Sequence, residues 1–302
     1  MLDKLVSDLV GPSVSGAAAC FSTGDEETTA AAGDVEADDV FTIASVTKTF
    51  VAAATLRLAA DGVIDLAEPA RGWCDLAPAD VTVRMLLDHT SRIPDYVAVP
   101  GMIEAHMREP ARAWDPRELV RMATGREAEW RYSNTNYVLL GLVLEAATSK
   151  SLDAVLDAVV LGPLGLRSTR LPRSAPASFA WAAGGIESTP REVCRFLSAL
   201  LRDDLVDTTE LRRTVEVTDN VEFDRYGAGI AVMSSILRLA DSPCGAAWGH
   251  LGFGLNESAA ALAAPNGSRC LAVCTRGALD ESGWRALAER AWPIFCHSGV
   301  GP

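Results

Sequence analysis

Strand-like segments gather at the two ends of this chain and helical ones fill its middle. That ordering limits the fold more than any other feature of the sequence. Residues 14–22 and 27–32 read as two strands of a hairpin, joined across Thr23-Gly24-Asp25. Val40-Phe41-Thr42-Ile43 reads as a short buried strand. Near the other end, residues 227–233, 245–250, 257–264 and 269–275 are strand candidates, the last two a hairpin around Pro265-Asn266-Gly267. Helices are expected over residues 2–10, then from Ser45 to about Ala60, where Val46, Phe50, Ala53, Ala54, Arg57 and Leu58 fit a 3.6-residue period and Asp61-Gly62 stops it. Asp115-Pro116 opens another as cap and first-turn proline, running to about Met122. Further helices follow: Asn136 to Ala147, Leu152 to Val160 ending at Leu161-Gly162-Pro163, Thr189-Pro190 to about Leu201, and residues 282–296. The fold class is therefore α+β. One antiparallel sheet is assembled from both chain ends with flanking terminal helices, and a mostly helical domain is inserted between. The expected division is 1–66 with 180–302 for the sheet domain and 67–179 for the helical one.

Composition excludes several partners. The 302 residues carry a formal net charge of −13, which counts against nucleic acid or an anionic membrane surface. No apolar run approaches the roughly 20 residues needed to span a bilayer. The opening residues, broken by Asp3, Asp8 and Gly11, do not read as a signal peptide but as a short amphipathic helix, so a cytoplasmic location is expected if the chain starts where it is written. Seven cysteines cannot all pair, and they show neither CxxC nor zinc-like spacing with the four histidines; most read as buried free thiols.

Lysine is confined to Lys4, Lys48 and Lys150, the remaining positive charge being arginine. Lys48 thus stands as an isolated charge in Phe41-Thr-Ile-Ala-Ser-Val-Thr-Lys-Thr-Phe-Val-Ala-Ala-Ala54. At a helix start, residues i and i+3 share a face, so the Ser45 hydroxyl and the Lys48 amine point the same way. Serine is a weak nucleophile until a base takes its proton, and a lysine buried at the positive end of a helix has its pKa lowered toward that role. The bland alternative is a capping serine with a lysine reaching to solvent; the apolar flanks argue against it. Tyr132-Ser133-Asn134 lies just before the apolar helix 136–147; a phenol near a cationic lysine can pass a proton to a leaving group. Gly249-His250-Leu251-Gly252 ends one strand candidate, and its glycines permit close approach of a ligand.

Taken in this order, the three elements resemble the serine penicillin-recognising enzymes, in the branch of class C β-lactamases and Streptomyces-type D-alanyl-D-alanine carboxypeptidases. Val81-Thr-Val-Arg-Met-Leu-Leu-Asp-His-Thr-Ser91, Tyr132-Ser-Asn-Thr-Asn-Tyr137 and Ala183-Gly-Gly-Ile-Glu-Ser-Thr189 are similar to that family too. The resemblance runs from about Phe41 to Cys296. It implies a β-lactamase/transpeptidase-like fold and two-step acyl transfer on a small-molecule acyl substrate, with no metal or organic cofactor. Ser45 would be the acylated nucleophile, Lys48 its activating amine, Tyr132 the general acid/base and Asn134 a contact to the substrate amide. His250 would replace the family's edge-strand Lys or His, with Gly252 beside it, and the backbone N–H groups of Ser45 and Phe253 would form the oxyanion hole.

Departures from the family pattern bear on substrate. Where the family carries hydroxyls that grip a carboxylate, this chain has Leu251 and Phe253. Each charge-assisted bond lost there is worth about 1.5–3 kcal/mol. Arg238 is a candidate to compensate from a neighbouring strand. Arg92 replaces the family's usual glycine in Thr90-Ser-Arg-Ile-Pro-Asp-Tyr96, as a residue of the pocket rim or a solvated loop arginine. These changes favour a neutral ester, thioester or amide over a cell-wall peptide or β-lactam. A carboxypeptidase or class C β-lactamase, and a penicillin-binding-like sensor without turnover, are the alternatives. Cys244 and Cys296 match a pair that is disulfide-bonded in the secreted carboxypeptidases, a bond that would favour export.

Overall fold

The computed structural model describes residues 1–24, 26–217 and 220–297. Asp25, the last residue of the expected first turn, lies outside them. Among the described residues there are ten strands: β1 (Gly16–Thr23), β2 (Glu26–Gly33), β3 (Phe41–Thr42), β4 (Glu187–Ser188), β5 (Val215–Glu216), β6 (Arg225–Tyr226), β7 (Ala231–Met233), β8 (Ala247–Phe253), β9 (Glu257–Ala263) and β10 (Arg269–Arg276). Eight of them form one sheet in the order β2-β1-β10-β9-β8-β7-β6-β5, and β3 pairs with β4. Every pairing is antiparallel, and β1 joins the two chain ends by pairing with β10 from Gly16↔Arg276 to Thr23↔Arg269. None of the ten strands lies between residues 67 and 179.

Strand alternation sends successive side chains into two cores. Ala17, Ala19 and Phe21 of β1, with Leu271 and Val273 of β10, pack under the terminal helices α1 (Leu2–Leu9) and α2 (Glu281–His297). Ala18 and Cys20, with Cys270, Ala272 and Cys274, face the larger core on the other side. Both faces being covered, these strands read as nearly unbroken apolar runs. The larger core is built on two inner helices, Thr47–Ala60 and Asn134–Thr148, and on the helix Pro190–Leu201 against the sheet. Eleven of the fourteen residues of Thr47–Ala60 are buried, as expected of a helix apolar on every side. The Pro190–Leu201 helix begins as its sequence predicts, with Thr189 accepting from the Glu192 N–H and proline in the first turn.

Three expected elements differ. Of residues 227–233 only Ala231–Met233 (β7) is strand; β6 ends at Tyr226, and between them the Gly227 N–H turns back to the Ile230 carbonyl. The helix from Leu152 passes through a π-turn at Asp157–Leu161 and continues through Gly162-Pro163 to Leu164; Gly165, at φ +64°, is what stops it. Arg238 lies in a turn, not on a strand, and its guanidinium donates to the Asn220 carbonyl at 3.2 Å. Cys244 and Cys296 are disulfide-bonded, and the five other cysteines are buried free thiols. Among the described residues, no helix is long and apolar enough to cross a membrane.

Candidate active site

Ser45 sits in a 3-10 turn, Ala44–Val46, that runs directly into the helix Thr47–Ala60. Ala44 before it has φ +44°, a left-handed conformation costly for a residue with a Cβ and the kind of strain that persists where surroundings enforce it. The surroundings are on both sides. The Ile43 N–H donates to the Ile186 carbonyl at 3.0 Å, and the Thr47 hydroxyl accepts from the Ile186 N–H at 3.1 Å. On the sheet side, β8 presses against the turn through Gly252, where a Cβ would stand 2.5 Å from the Ile43 carbonyl oxygen.

Lys48 is completely buried, and its Nζ lies 3.0 Å from Ser45 Oγ, 2.7 Å from Asn134 Oδ1 and 2.6 Å from the Ala183 carbonyl oxygen. Burial lowers its pKa to about 7, against the opposing pull of the Asp95 and Glu222 carboxylates. A neutral amine has two N–H bonds and one lone pair. The Asn134 and Ala183 oxygens can only accept, so they take the two hydrogens. The lone pair is left for the one partner that can donate, the Ser45 hydroxyl. Near neutral pH the site therefore contains a base already aimed at an alcohol.

Tyr132 lies with its ring centroid 4.9 Å from the same Nζ. Its Oη is buried beside the Ser45 hydroxyl. Burial pushes the phenol well above its ordinary value of 10, the adjacent Ser45 hydroxyl acting the other way, so Tyr132 keeps its proton. His89 packs 4.3 Å from that ring; its Nδ1 accepts from the Ser133 N–H at 3.2 Å, and burial, reinforced by the Lys48 charge, keeps the imidazole neutral. His250 is also buried and neutral, lowered to about 3 by desolvation and then by Lys48. Its Nδ1 lies 2.6 Å from its own Leu251 carbonyl and its Nε2 2.9 Å from the Tyr226 hydroxyl. A neutral ring with its N–H on that carbonyl accepts from the tyrosine and has no donor left for a ligand.

A cavity of about 310 Å³ opens at this corner, lined by Ser45, Asn134, Phe179, Phe253 and Leu255 among others. Its charged lining residues are the carboxylates Glu187 and Glu257, the former paired with Arg170 at 2.6 Å, and no Lys or Arg is among the lining residues. The sequence-selected residues thus divide. Ser45, Lys48, Tyr132 and Asn134 are brought together, and Gly252 and Phe253 adjoin them. Leu251 is fully buried in the core under the terminal helices, because alternation along β8 turns it away from the face that meets Ser45. Arg92 lies outside the cavity lining and donates to the Glu127 carbonyl at 2.8 Å; its φ of +61° explains why glycine suits the position. Sequence reasoning missed Asp95, His89 and the Ala183 carbonyl as neighbours of the site. His89 and Ala183 lie in stretches already recognised as family-like and Asp95 four residues past one, but their convergence depends on loop packing that no local spacing encodes.

A neutral amine and a protonated phenol set behind an alcohol that opens on a cavity are the groups serine acyl transfer needs. The family model for Beta-lactamase matches residues 2–292, and the chain belongs to that family. Esterase EstB of Burkholderia gladioli is 34% identical over 163 residues, covering 47% of this chain and 41% of its own length. Penicillin-binding protein 4* of Bacillus subtilis is 29% identical over 146 residues, covering 45% and 32%. The chain thus spans only about a third to two-fifths of these curated relatives. Among solved structures, a D-stereospecific amidohydrolase from Streptomyces sp. superposes with TM-score 0.83 at 28% identity, covering 95% of this chain and 97% of its own. The D-amino acid amidase of Ochrobactrum anthropi SV3 does so with TM-score 0.81 at 26% identity, covering 97% and 99%. The α+β architecture expected from the sequence is the architecture of these neighbours.

Proposed function

We propose that the chain is a serine hydrolase or acyltransferase that forms an acyl-Ser45 intermediate from a small ester, thioester or amide. One observation carries this reading: the Lys48 amine has two obligate acceptors and one possible donor, and that donor is Ser45. Ser45 Oγ attacks the acyl carbon as its proton passes to Lys48 Nζ. The Tyr132 hydroxyl hands a proton to the departing oxygen, sulfur or nitrogen and recovers one from Lys48. Water or another nucleophile then repeats the sequence on the acyl-serine. The Ser45 and Phe253 N–H groups hold the developing oxyanion, and Asn134 contacts the substrate amide. Two such donors typically matter by about 3–4 kcal/mol each.

The cavity supports a substrate with an apolar acyl part and no free carboxylate. Phe179, Phe253 and Leu255 wall it, no Lys or Arg lines it, and two carboxylates do. An ester such as the esterase relative's name implies, or an amide of the kind named for the structural neighbours, fits better than a D-Ala-D-Ala end. The test is turnover of p-nitrophenyl butyrate and of D-phenylalanine amide, with nitrocefin and a D-Ala-D-Ala peptide alongside. Sustained release that disappears in Ser45→Ala supports the reading. A single burst equal to the protein concentration would instead make the chain a sensor without turnover. Fast release confined to nitrocefin or the peptide would make it a β-lactamase or carboxypeptidase.

For location we propose the cytoplasm, on the five buried free thiols. The Cys244–Cys296 bond opposes this, since such bonds persist mainly in oxidising compartments. Alkylation of intact cells before lysis, followed by mass analysis, decides: both cysteines blocked supports the cytoplasm, and both protected overturns it.

A further inference from the structure

Asp95 is a mostly buried carboxylate that the acyl-transfer scheme does not use, yet it is bonded to a residue that scheme depends on. Its Oδ2 accepts from Asn134 Nδ2 at 2.9 Å, and its Oδ1 accepts from the backbone N–H of Asn134 at 3.2 Å and of Val97 at 3.1 Å. Ser133 does not cap the helix it precedes; its hydroxyl turns to the Pro94 carbonyl. The carboxylate therefore serves as the acceptor at that helix start from a remote loop. It also fixes a choice that a side-chain amide does not make by itself. An amide can present either oxygen or nitrogen to a neighbour. With Nδ2 held by Asp95, Asn134 must present Oδ1 to Lys48, at 2.7 Å.

We propose that Asp95 is a positioning residue for this reaction: by holding the Asn134 amide in one orientation, it keeps the Lys48 lone pair free for Ser45. The inference rests on the acyl-serine reading. Were the amide reversed, its NH2 would donate to the neutral amine and occupy the lone pair that should take the serine proton. Asp95 also stands among the charged and titratable groups around Lys48. The others are Glu222, the Tyr132 and Tyr137 rings at 4.9 and 5.6 Å, and the neutral His89 and His250. Asp95 and Glu222 favour the ammonium, and burial opposes it.

Asp95→Asn is the test. One oxygen must then serve the two fixed backbone N–H groups, so the new NH2 meets Asn134 and reverses its amide. With p-nitrophenyl butyrate, kcat should fall about 10²-fold, the scale of a misaligned catalytic group, with KM within about threefold. The acidic limb of kcat/KM should move below its wild-type midpoint, because a negative charge favouring the ammonium is gone. The exchange Asp95→Asn with Asn134→Asp restores an oxygen facing Lys48 and brings the charge closer. Part of kcat should return, and the limb should move above the wild-type midpoint. A merely structural carboxylate predicts lowered thermal stability with kcat and the limb of Asp95→Asn unmoved, and that result overturns the proposal. So does a single variant with kcat within twofold of wild type. If Asp95→Asn does not fold, the exchange decides through kcat: with an oxygen again facing Lys48 it should stay within about 10²-fold of wild type, and a larger loss overturns the proposal. Failure of the underlying reading is separately visible, as turnover that survives Ser45→Ala in the wild-type background.

Discussion

The corner that holds Ser45 and the strand β8 that flanks it are built on different principles. In the corner, chemistry follows from distance along the chain. Ser45 and Lys48 are three residues apart at the entrance to a helix, so helical geometry alone puts hydroxyl and amine at 3.0 Å. On β8, neighbours in sequence point to opposite faces. Gly252 meets the serine turn, while Leu251 enters the core beneath the terminal helices and the Phe253 ring lies tilted against Trp284, centroids 4.6 Å apart. A motif on a helix therefore states its own geometry. A motif on a strand states it only once the pairing register is known.

The deepest way to break the corner is Lys48→Met, which keeps the bulk and removes the base. Catalysis on p-nitrophenyl butyrate should fall by about 10²–10⁴-fold, the usual worth of a positioned base. The pH profile checks the same assignment. With the amine's pKa lowered to about 7, the base form accumulates as pH rises, so wild-type kcat/KM should climb through pH 7 and level off above it. Whatever activity remains in Lys48→Met should lack that limb; a limb persisting near 7 would assign it to another group.

Next in size is Gly252→Ala, which attacks the junction between the two regions. The added Cβ meets backbone, the Ile43 carbonyl oxygen at 2.5 Å, so no side chain can swing away to admit it. Either β8 or the serine turn must shift by a fraction of an ångström, and misplacement on that scale can cost about 10²-fold in rate. The loss should fall on kcat and leave the midpoint near pH 7 in place, since Lys48 stays buried. Unchanged kcat would show that β8 does not hold the nucleophile in position.

His250→Phe should do less. Its ring is neutral and both nitrogens are engaged with the Leu251 carbonyl and Tyr226. We expect kcat/KM to fall less than tenfold with the acidic limb unmoved. Stability should drop by about 1–3 kcal/mol, because the Tyr226 hydroxyl loses its acceptor in a buried place. A loss comparable with that of Lys48→Met would return His250 to the reacting groups.

These expectations show how much was legible in the sequence. The sheet built from both ends was legible because alternation, turn residues and helix caps are local signals, and Thr189, Asp115 and the Pro265-Asn266-Gly267 turn all act where they stand. Ser45, Lys48, Tyr132 and Asn134 were legible as spacing and as family resemblance. Asp95 and Ala183 were not, although each bonds directly within the site, because their roles arise where the 89–97 loop and the 183–186 segment meet two buried helices. A hydrogen bond spanning 39 or 135 residues leaves no periodic trace.

The smallest effect on catalysis should come from Leu251→Thr, and it separates sequence likeness from geometry most sharply. By alignment, threonine would restore the family's hydroxyl and with it a grip on a substrate carboxylate. By position, the side chain at 251 is buried in the core to which Trp284, Trp292 and Leu271 also belong. The new hydroxyl should therefore find no substrate. Ester turnover should stay within about twofold of wild type, and D-Ala-D-Ala peptides should remain poor substrates. Stability should decline by about 1–3 kcal/mol, since a buried polar group without a partner replaces a packed leucine. A measured gain in carboxypeptidase turnover would mean that β8 can slip by one residue in register. A slip of that kind exchanges the faces of the whole strand, so it would bring Phe253 and Gly252 with it.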